Sequence, residues 1–271
     1  MKLKIKPMIM VIIAILTTVL SNPLYAKADD DGSVCQVGIF SVYDYKGTGA
    51  PITSNLSSPV DIATDLYNAF KVGSAKEWSV AYNWKNSTVW ETDFTRPHVG
   101  SSYPYVDNVD LAFYIGHGVK PNNYGSKDYS FVLNTNKNSY FVEQANLNLG
   151  VRDLEWFITL TCNFLSGTND DIGRLMRGLH TVCGFQSQIY LTQDAGKILA
   201  QKLKSGVSVK EAYFAYGKET QPGRYKHTAA VFTTTNLTND RIWGYGSVGS
   251  DPTVYYLAKN QYVRYYYRCN W

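Results

Sequence analysis

The chain has 271 residues, of which 45% are hydrophobic, and a formal net charge of +4. Its first 28 residues contain four lysines and no acidic residue, so the rest of the chain has no formal net charge. Because no basic run remains there, the composition excludes nucleic-acid binding through sequence-independent phosphate contacts.

The N-terminal segment has the features of a secretory signal peptide. Three lysines within the first six residues precede an apolar stretch from Met8 to Leu20, and Ala26 and Ala28 supply a small-residue cleavage site. We therefore predict a signal peptide over 1–28 and a protein that is secreted, periplasmic or at the cell surface. An uncleaved membrane anchor is the alternative. The apolar stretch is short for a bilayer span, so we expect no stable membrane span after cleavage.

Residues 29–271 are expected to form a single domain, since no Pro-rich, Ser-rich or highly charged linker divides them. Hydrophobic periodicity and turn signals predict alternating strands and helices. The predicted strands cover 35–43, 109–115, 154–161, 179–185 and 228–235, with one or two more over 78–94 around a turn at Asn86-Ser87 and a terminal strand or hairpin over 254–267. The predicted helices run from Ser58-Pro59 to about Gly73, from Asp170 or Asp171 to Gly178, over 193–205, and from a Ser208/Glu211 capping box to Tyr216.

This alternation is typical of an α/β fold, a three-layer α/β/α sandwich around a mainly parallel central sheet. The runs 109–115 and 154–161 are short and almost entirely apolar, as expected for strands buried on both faces. They are predicted to be central strands. The polar segment 119–150 between them is compatible with a lid, a processing loop or a β-hairpin.

A histidine and a cysteine, His117 and Cys162, each follow one of the two predicted central strands. The carboxyl ends of parallel strands meet at one edge of a sheet, where α/β proteins bind ligands, so these two side chains are expected to converge. Gly116 and Gly118 lack a Cβ, which permits a sharp turn and close approach of a substrate. The N–H groups of Gly118 and Cys162 are candidate donors to an oxyanion.

The four cysteines have no Cys-x-x-Cys spacing and no flanking histidine pattern, so no metal site is predicted from them. Cys35 and Cys269 lie near the two ends of the mature chain, and an oxidising compartment permits a disulfide between them; two free thiols are the alternative. Cys183 lies inside an apolar run and is interpreted as a small buried hydrophobe. Cys162 is left as the reactive candidate.

The order and spacing of His117 and Cys162 resemble those of the caspase-like cysteine peptidases, a group that includes caspases, legumains, gingipains, clostripain-type enzymes and CHAT domains. An apolar strand ending in His-Gly precedes, by 45 residues, an apolar strand ending in a small residue and Cys. Downstream, three segments are similar to those that follow the nucleophile in CHAT domains: the strand Gly178-Leu-His-Thr-Val-Cys-Gly-Phe185, the helix from Asp194 to Leu203, and the segment with Gly206 and Ser208 to Ala215. The resemblance covers roughly residues 105–220. Around the nucleophile this chain has Thr161-Cys162-Asn163, where several members have Ala or Ser with Gln or Gly.

The resemblance implies an exported cysteine endopeptidase with a caspase-like fold. His117 and Cys162 would be its catalytic dyad, the N–H groups of Gly118 and Cys162 its oxyanion hole, and a peptide or protein its substrate, with no cofactor and no metal. It further implies a substrate pocket formed after the nucleophile, by Phe185, Gln186, Ser187 and Asp194. An acidic Asp194 in that pocket would favour a basic substrate residue; its alternative role is that of an acid at a helix N-terminus.

Two other interpretations of the pair remain. His117 and Cys162 can be unrelated loop residues, or they can belong to a catalytically inactive domain that binds a peptide or another ligand in the same cleft. Among the remaining histidines, His98 and His227 have no partner motif and His180 begins a predicted strand, so all three are interpreted as surface or structural residues.

Overall fold

The computed structural model describes residues 35–71, 78–95, 105–147, 149–223, 226–243, 248–252 and 262–269. The expected signal peptide at 1–28 and His98 lie outside these ranges. The strands are β1 (Cys35–Ser41), β2 (Trp78–Lys85), β3 (Leu111–Ile115), β4 (Gly118–Val119), β5 (Ser130–Val132), β6 (Phe141–Glu143), β7 (Trp156–Leu160), β8 (Thr181–Phe185), β9 (His227–Thr234) and β10 (Tyr262–Cys269). The α-helices are α1 (Pro59–Phe70), α2 (Asn169–Gly173), α3 (Ala195–Lys204) and α4 (Val209–Thr220).

Seven strands form the main sheet, in the order β10-β9-β8-β7-β3-β1-β2. Five neighbouring strands of this sheet are parallel, namely β2, β1, β3, β7 and β8, while β9 is antiparallel to β8 and β10 is antiparallel to β9. The predicted α/β fold with a mainly parallel sheet is confirmed, and so is the central position of β3 and β7.

Side chains alternate between two apolar cores, one on each face of the sheet, because successive residues of a strand point to opposite faces. In β3, Leu111, Phe113 and Ile115 contribute to one core, and Ala112 and Tyr114 to the other. All five are buried, which explains why this strand is apolar throughout its length.

The two faces of the sheet are covered differently. Helices α1, α3 and α4 pack side by side over the face of Leu111. The opposite face is covered by the small sheet β4-β5-β6, the five-residue helix α2 and connecting segments. Within the described ranges, a second layer of long helices is absent, so the expected α/β/α sandwich has helices of full length on one side alone.

The segment 119–150 contains a β-hairpin, one of the three structures considered for it. Strands β5 and β6 pair antiparallel, and β5 also pairs with β4, which begins directly after His117. The Val132 N–H donates to the His117 carbonyl over 3.0 Å. This hairpin therefore anchors the residues around His117.

Helix boundaries follow capping side chains. The predicted capping box of α4 is confirmed, with Ser208 accepting from the Glu211 N–H and the Glu211 carboxylate accepting from the Ser208 N–H. Helix α2 was expected to be capped by Asp170 or Asp171, but Thr168 is its N-cap and Asp171 is the reciprocal partner. Among the described helices, none has the length and apolar character needed to cross a bilayer.

The structure does not join Cys35 and Cys269 in the expected disulfide, and both side chains are buried. Cys35 begins β1 and Cys269 ends β10, and four strands lie between β1 and β10. At about 4.8 Å per strand, this places the two strands roughly 24 Å apart. A disulfide requires Cα atoms within about 7 Å, so the pairing was wrong.

Candidate active site

His117 and Cys162 occupy equivalent positions beyond two neighbouring parallel strands. Ile115 of β3 pairs with Leu160 of β7, and each of the two candidate residues follows its strand end by two positions. Both line one cleft of about 290 Å³ at the carboxyl edge of the sheet. The strand register therefore brings together the two residues that the sequence singled out.

The His117 imidazole is held by the loop that follows β1. Its Nε2 lies 2.9 Å from the carbonyl oxygen of Ser54 and 3.4 Å from the Ser54 hydroxyl. A carbonyl oxygen can only accept, so Nε2 carries the hydrogen and Nδ1 retains the lone pair. Burial lowers the pKa of His117, and the hydrogen bond to Ser54 opposes this effect. The neutral ring thus has one nitrogen able to take a proton.

Tyr45 fixes the main chain at His117. Its buried hydroxyl donates to the carbonyl of Val132 over 2.9 Å and accepts from the His117 N–H over 3.2 Å. The Tyr45 ring also lies against the imidazole, with 4.9 Å between ring centroids. Burial raises the pKa of Tyr45, so this hydroxyl stays protonated and remains a donor.

The Cys162 thiol is half-buried and contacts the main chain of Ile189. The Ile189 N–H donates to Sγ over 3.4 Å, and the Ile189 carbonyl lies 3.9 Å from the same sulfur. Burial raises the pKa of Cys162, while the N–H of Ile189 acts in the opposite direction. Among the described contacts, no hydrogen bond joins the side chains of Cys162 and His117. The resting pair is therefore a neutral thiol and a neutral imidazole.

Asn163, which follows the candidate nucleophile, has a φ of 60°. This is the left-handed region, which asparagine adopts more readily than most residues other than glycine. The Asn163 N–H donates to the Ser187 carbonyl over 2.9 Å. Asparagine at this position thus turns the chain away from β7 directly after Cys162.

The two glycines beside His117 are required by packing. A Cβ on Gly118 would collide with the carbonyl oxygen of Cys162 and lie 2.5 Å from Thr161 Oγ1. A Cβ on Gly116 would lie 2.5 Å from the Tyr114 hydroxyl. Gly118 therefore allows the loop that carries His117 to contact the loop that carries Cys162.

The two candidate oxyanion donors have no intramolecular acceptor in the described part of the chain. Cys162 lies outside any strand, and its N–H makes no hydrogen bond among the described residues. Gly118 faces Phe131 of β5, next to the hydrogen-bonded pair of His117 and Val132. Antiparallel pairs alternate between bonded and non-bonded, so the Gly118 N–H points away from β5. Of the two residues, Cys162 lines the cleft, and Gly118 lies next to the cleft in sequence, directly after the lining residue His117.

The predicted substrate-pocket residues do not line the cleft. Phe185 is fully buried in the helix-covered core and packs against Tyr213 and Tyr216. Gln186 and Ser187 make main-chain and hydroxyl contacts with Thr228, and Asp194 is an exposed residue at the start of α3. The cleft is instead lined by residues 189–191, which lie between the predicted residues Ser187 and Asp194 in the sequence.

Two short segments that the sequence did not indicate form the walls of the cleft. One wall consists of residues 55–58, between β1 and α1, and the other of residues 189–191, after β8. Both segments are loops, and Ser58 is the last residue before α1 begins at Pro59. The sequence offered one signal for these walls, the predicted ends of the strands at Ser41 and Phe185. The loops that follow such strand ends surround the ligand site of a parallel sheet.

The family model of DUF6345, a domain of unknown function, matches residues 43–265. The chain belongs to the DUF6345 family. The match includes both His117 and Cys162. None of the curated proteins compared with the chain matches it.

A second group of ionisable residues in this DUF6345 domain lies at the opposite edge of the sheet, before the strands begin. His180 is fully buried between two carboxylates, with Nδ1 2.6 Å from Asp240 and Nε2 2.9 Å from Asp251. Burial lowers the pKa of His180, but hydrogen bonds and charge from the two aspartates raise it overall. In the described residues, no set of three His, Cys, Asp or Glu side chains is arranged to hold a metal ion. This group is therefore interpreted as structural.

Proposed function

We propose that this domain is a cysteine endopeptidase of the caspase-like type, in which His117 and Cys162 act as a dyad. The observation that carries the proposal is the register of β3 and β7, because it delivers both side chains to one cleft at the carboxyl edge of the sheet. Two main-chain N–H groups able to hold an oxyanion lie at the same edge. Nucleophile, base and oxyanion donors are the parts that acyl transfer requires.

In the proposed first step, Nδ1 of His117 takes the thiol proton of Cys162 as the sulfur attacks the scissile carbonyl. The carbonyl oxygen becomes an oxyanion, which the N–H groups of Gly118 and Cys162 stabilise. Nδ1 then gives its proton to the departing amine nitrogen as the C–N bond breaks. The products of this half-reaction are a free amine and a thioester on Cys162.

In the second step, water hydrolyses the thioester. Nδ1 of His117 accepts a proton from the attacking water, and the second tetrahedral intermediate collapses with loss of the Cys162 sulfur. The sulfur recovers the proton from His117, which restores the neutral pair. The Ser54 carbonyl remains bonded to Nε2 throughout and stabilises the transient imidazolium.

The substrate is proposed to be a peptide or protein met outside the cytoplasm, in keeping with the signal peptide expected over 1–28. The second candidate function is a catalytically inactive domain that binds a peptide in the same cleft. The absence of a hydrogen bond between His117 and Cys162 in the described structure favours that alternative. Dyads in which base and nucleophile approach each other only when substrate binds also show this feature.

Hydrolysis of a peptide library separates these two functions. We expect the mature protein to cleave members of the library, with new termini identified by mass spectrometry, and the Cys162→Ala variant to cleave none. Cys183→Ala is the matched control, since Cys183 is a fully buried thiol in the sheet core. If wild type and Cys162→Ala give the same products, or no cleavage occurs, the peptidase function is rejected.

A further inference from the structure

The described walls of the cleft beside Cys162 carry no formal charge. Apart from His117 and Cys162, its lining consists of Gly116 and the segments 55–58 and 189–191, none of which contains a lysine, arginine, aspartate or glutamate. The acid expected from the sequence, Asp194, is exposed and is not part of this lining. Chemical selection in the cleft therefore depends on apolar side chains, hydroxyls and amides.

The 189–191 wall is fixed in place by hydrogen bonds from three directions. The Gln221 side-chain amide accepts from the Tyr190 N–H over 3.1 Å and donates to the Tyr190 carbonyl over 3.3 Å. Next to it, Nδ1 of His227 lies 2.6 Å from the Gln188 carbonyl, and the Ile189 N–H reaches the Cys162 sulfur. This wall is preorganised, so its composition directly determines which side chain fits beside the sulfur.

Both walls present apolar surface to the cleft. Ile189 and Leu191 are half-buried and pack against the helix-covered core, and Leu56 packs against the core on the other face of the sheet. The side-chain Oδ1 of Asn55 already accepts from the Tyr45 N–H over 2.7 Å, and its Nδ2 donates to the Asp44 carboxylate over 3.0 Å. The amide is committed to holding the loop, which leaves Ser57 and Ser58 as the hydroxyls of this wall.

We infer that the substrate residue on the amino side of the scissile bond has an uncharged, mainly apolar side chain. This rests on the proposed function, because that residue carries the carbonyl attacked by Cys162 and its side chain lies nearest to the sulfur. A lysine, arginine, aspartate or glutamate side chain would move from water into a cleft whose described walls offer it no opposite charge. Burying such a group without a partner disfavours it by roughly 10- to 100-fold in rate.

Peptidyl acyloxymethyl ketones that differ only in this residue test the inference. The Cys162 sulfur displaces the acyloxy group as a carboxylate and forms a thioether with the peptidyl ketone, and intact-protein mass spectrometry gives the rate. We expect leucine and phenylalanine probes to label Cys162 at least about 10-fold faster than arginine, lysine, aspartate and glutamate probes. If a charged probe labels Cys162 as fast as the leucine and phenylalanine probes or faster, this inference is overturned. The proposed function then stands, provided that His117→Ala lowers the labelling rate. If no probe labels Cys162 faster than iodoacetamide does, both are rejected.

A charge placed in one wall provides a matched test. Ser57 is exposed, so Ser57→Asp adds a carboxylate without disturbing the core, and Ser57→Asn adds nearly the same shape without the charge. We expect Ser57→Asp to raise the ratio of arginine to leucine labelling by about 10-fold, the equivalent of one new ion pair, and Ser57→Asn to leave that ratio unchanged. If Ser57→Asp does not change the ratio, the substrate side chain does not occupy this cleft.

Discussion

The main-chain carbonyl of Ser54 accepts a hydrogen bond from Nε2 of His117 over 2.9 Å. Since this acceptor belongs to the backbone, the loop between β1 and α1 determines which nitrogen of the imidazole carries the hydrogen. The proposed base is then Nδ1. The arrangement also explains why no carboxylate partner for His117 is needed to orient the ring.

The tautomer of His117 is directly measurable. In ¹⁵N-labelled protein at pH 8, where the ring is neutral, the shifts and couplings of the imidazole nitrogens should identify the Nε2–H form. Ser54→Ala keeps the carbonyl and should give the same spectrum, which separates the main-chain contact from the longer hydroxyl contact. A dominant Nδ1–H form would show that the base cannot be Nδ1.

Gly118→Ala should strongly reduce the proposed activity, because the added methyl group collides with the Cys162 carbonyl and forces apart the loops that carry His117 and Cys162. We expect a loss of at least about 100-fold in kcat/KM and a destabilisation of about 1–3 kcal/mol. Peptide hydrolysis and urea unfolding measure the two effects. Gly217→Ala is the control, since its Cβ would make ordinary contacts in the interior of α4, and alanine is the better helix former. Wild-type activity in Gly118→Ala would refute the close packing of the loops.

The pH profile of hydrolysis should reflect the lowered pKa of His117. An imidazolium cannot accept the thiol proton, so kcat/KM falls as pH decreases through the pKa of His117. Because burial lowers that pKa, the midpoint of the acid limb should lie below the value of about 6.5 for an unperturbed histidine. Alkylation of Cys162 by iodoacetamide should rise with pH through a midpoint above about 8.5, since burial raises the thiol pKa. A thiolate signal at neutral pH in the free protein would contradict the neutral pair.

A buried carboxyl away from the cleft makes a separate prediction about stability. Burial, together with the nearby charges of Asp110 and Asp251, raises the pKa of Glu155 to about 11. The folded protein then holds this proton while the unfolded chain releases it near pH 4.3, so the contribution of Glu155 to stability is greatest below that pH. This contribution of Glu155 declines by about 1.4 kcal/mol per pH unit as the pH rises above about 4.3.

Glu155→Gln mimics the protonated carboxyl and should remove this dependence. At pH 5 the two proteins should differ little in the free energy of unfolding, measured in urea. As the pH rises to 8, the free energy of unfolding of Glu155→Gln should increase relative to that of the wild type. His180→Gln affects the neighbouring pair with Asp240 and serves for comparison, since it should destabilise the protein at both pH values. Parallel pH profiles for wild type and Glu155→Gln would mean that Glu155 is ionised in the folded state.

Much of the sheet could be predicted from local patterns. Buried parallel strands such as β3 and β7 are short apolar runs, and their order along the chain made them neighbours at the centre of the sheet. The Ser208/Glu211 capping box was recognised because both residues of the motif are close in sequence. His117 and Cys162 were found for the same reason, since each directly follows a strong strand signal.

Features that depend on tertiary contacts were not predictable in this way. The hydrogen bond from His117 to Ser54 joins residues 63 positions apart in a loop with no periodic pattern. The pocket prediction failed at Phe185 because an apolar residue at the end of a buried strand faces either the cleft or the core, and here it faces the core. The disulfide prediction failed because proximity to the chain ends does not determine strand order, which places Cys35 and Cys269 on distant strands.

A double-mutant cycle on peptide hydrolysis tests the dyad most directly. The rates of Cys162→Ala, His117→Ala and the double variant are compared with wild type, using the best substrate from the library. Residues that act as one unit are non-additive, so each single variant should lose at least about 1,000-fold and the double variant should be no slower than the slower single variant. If the two losses multiply, or if His117→Ala retains activity within a few-fold of wild type, His117 and Cys162 do not form a catalytic dyad.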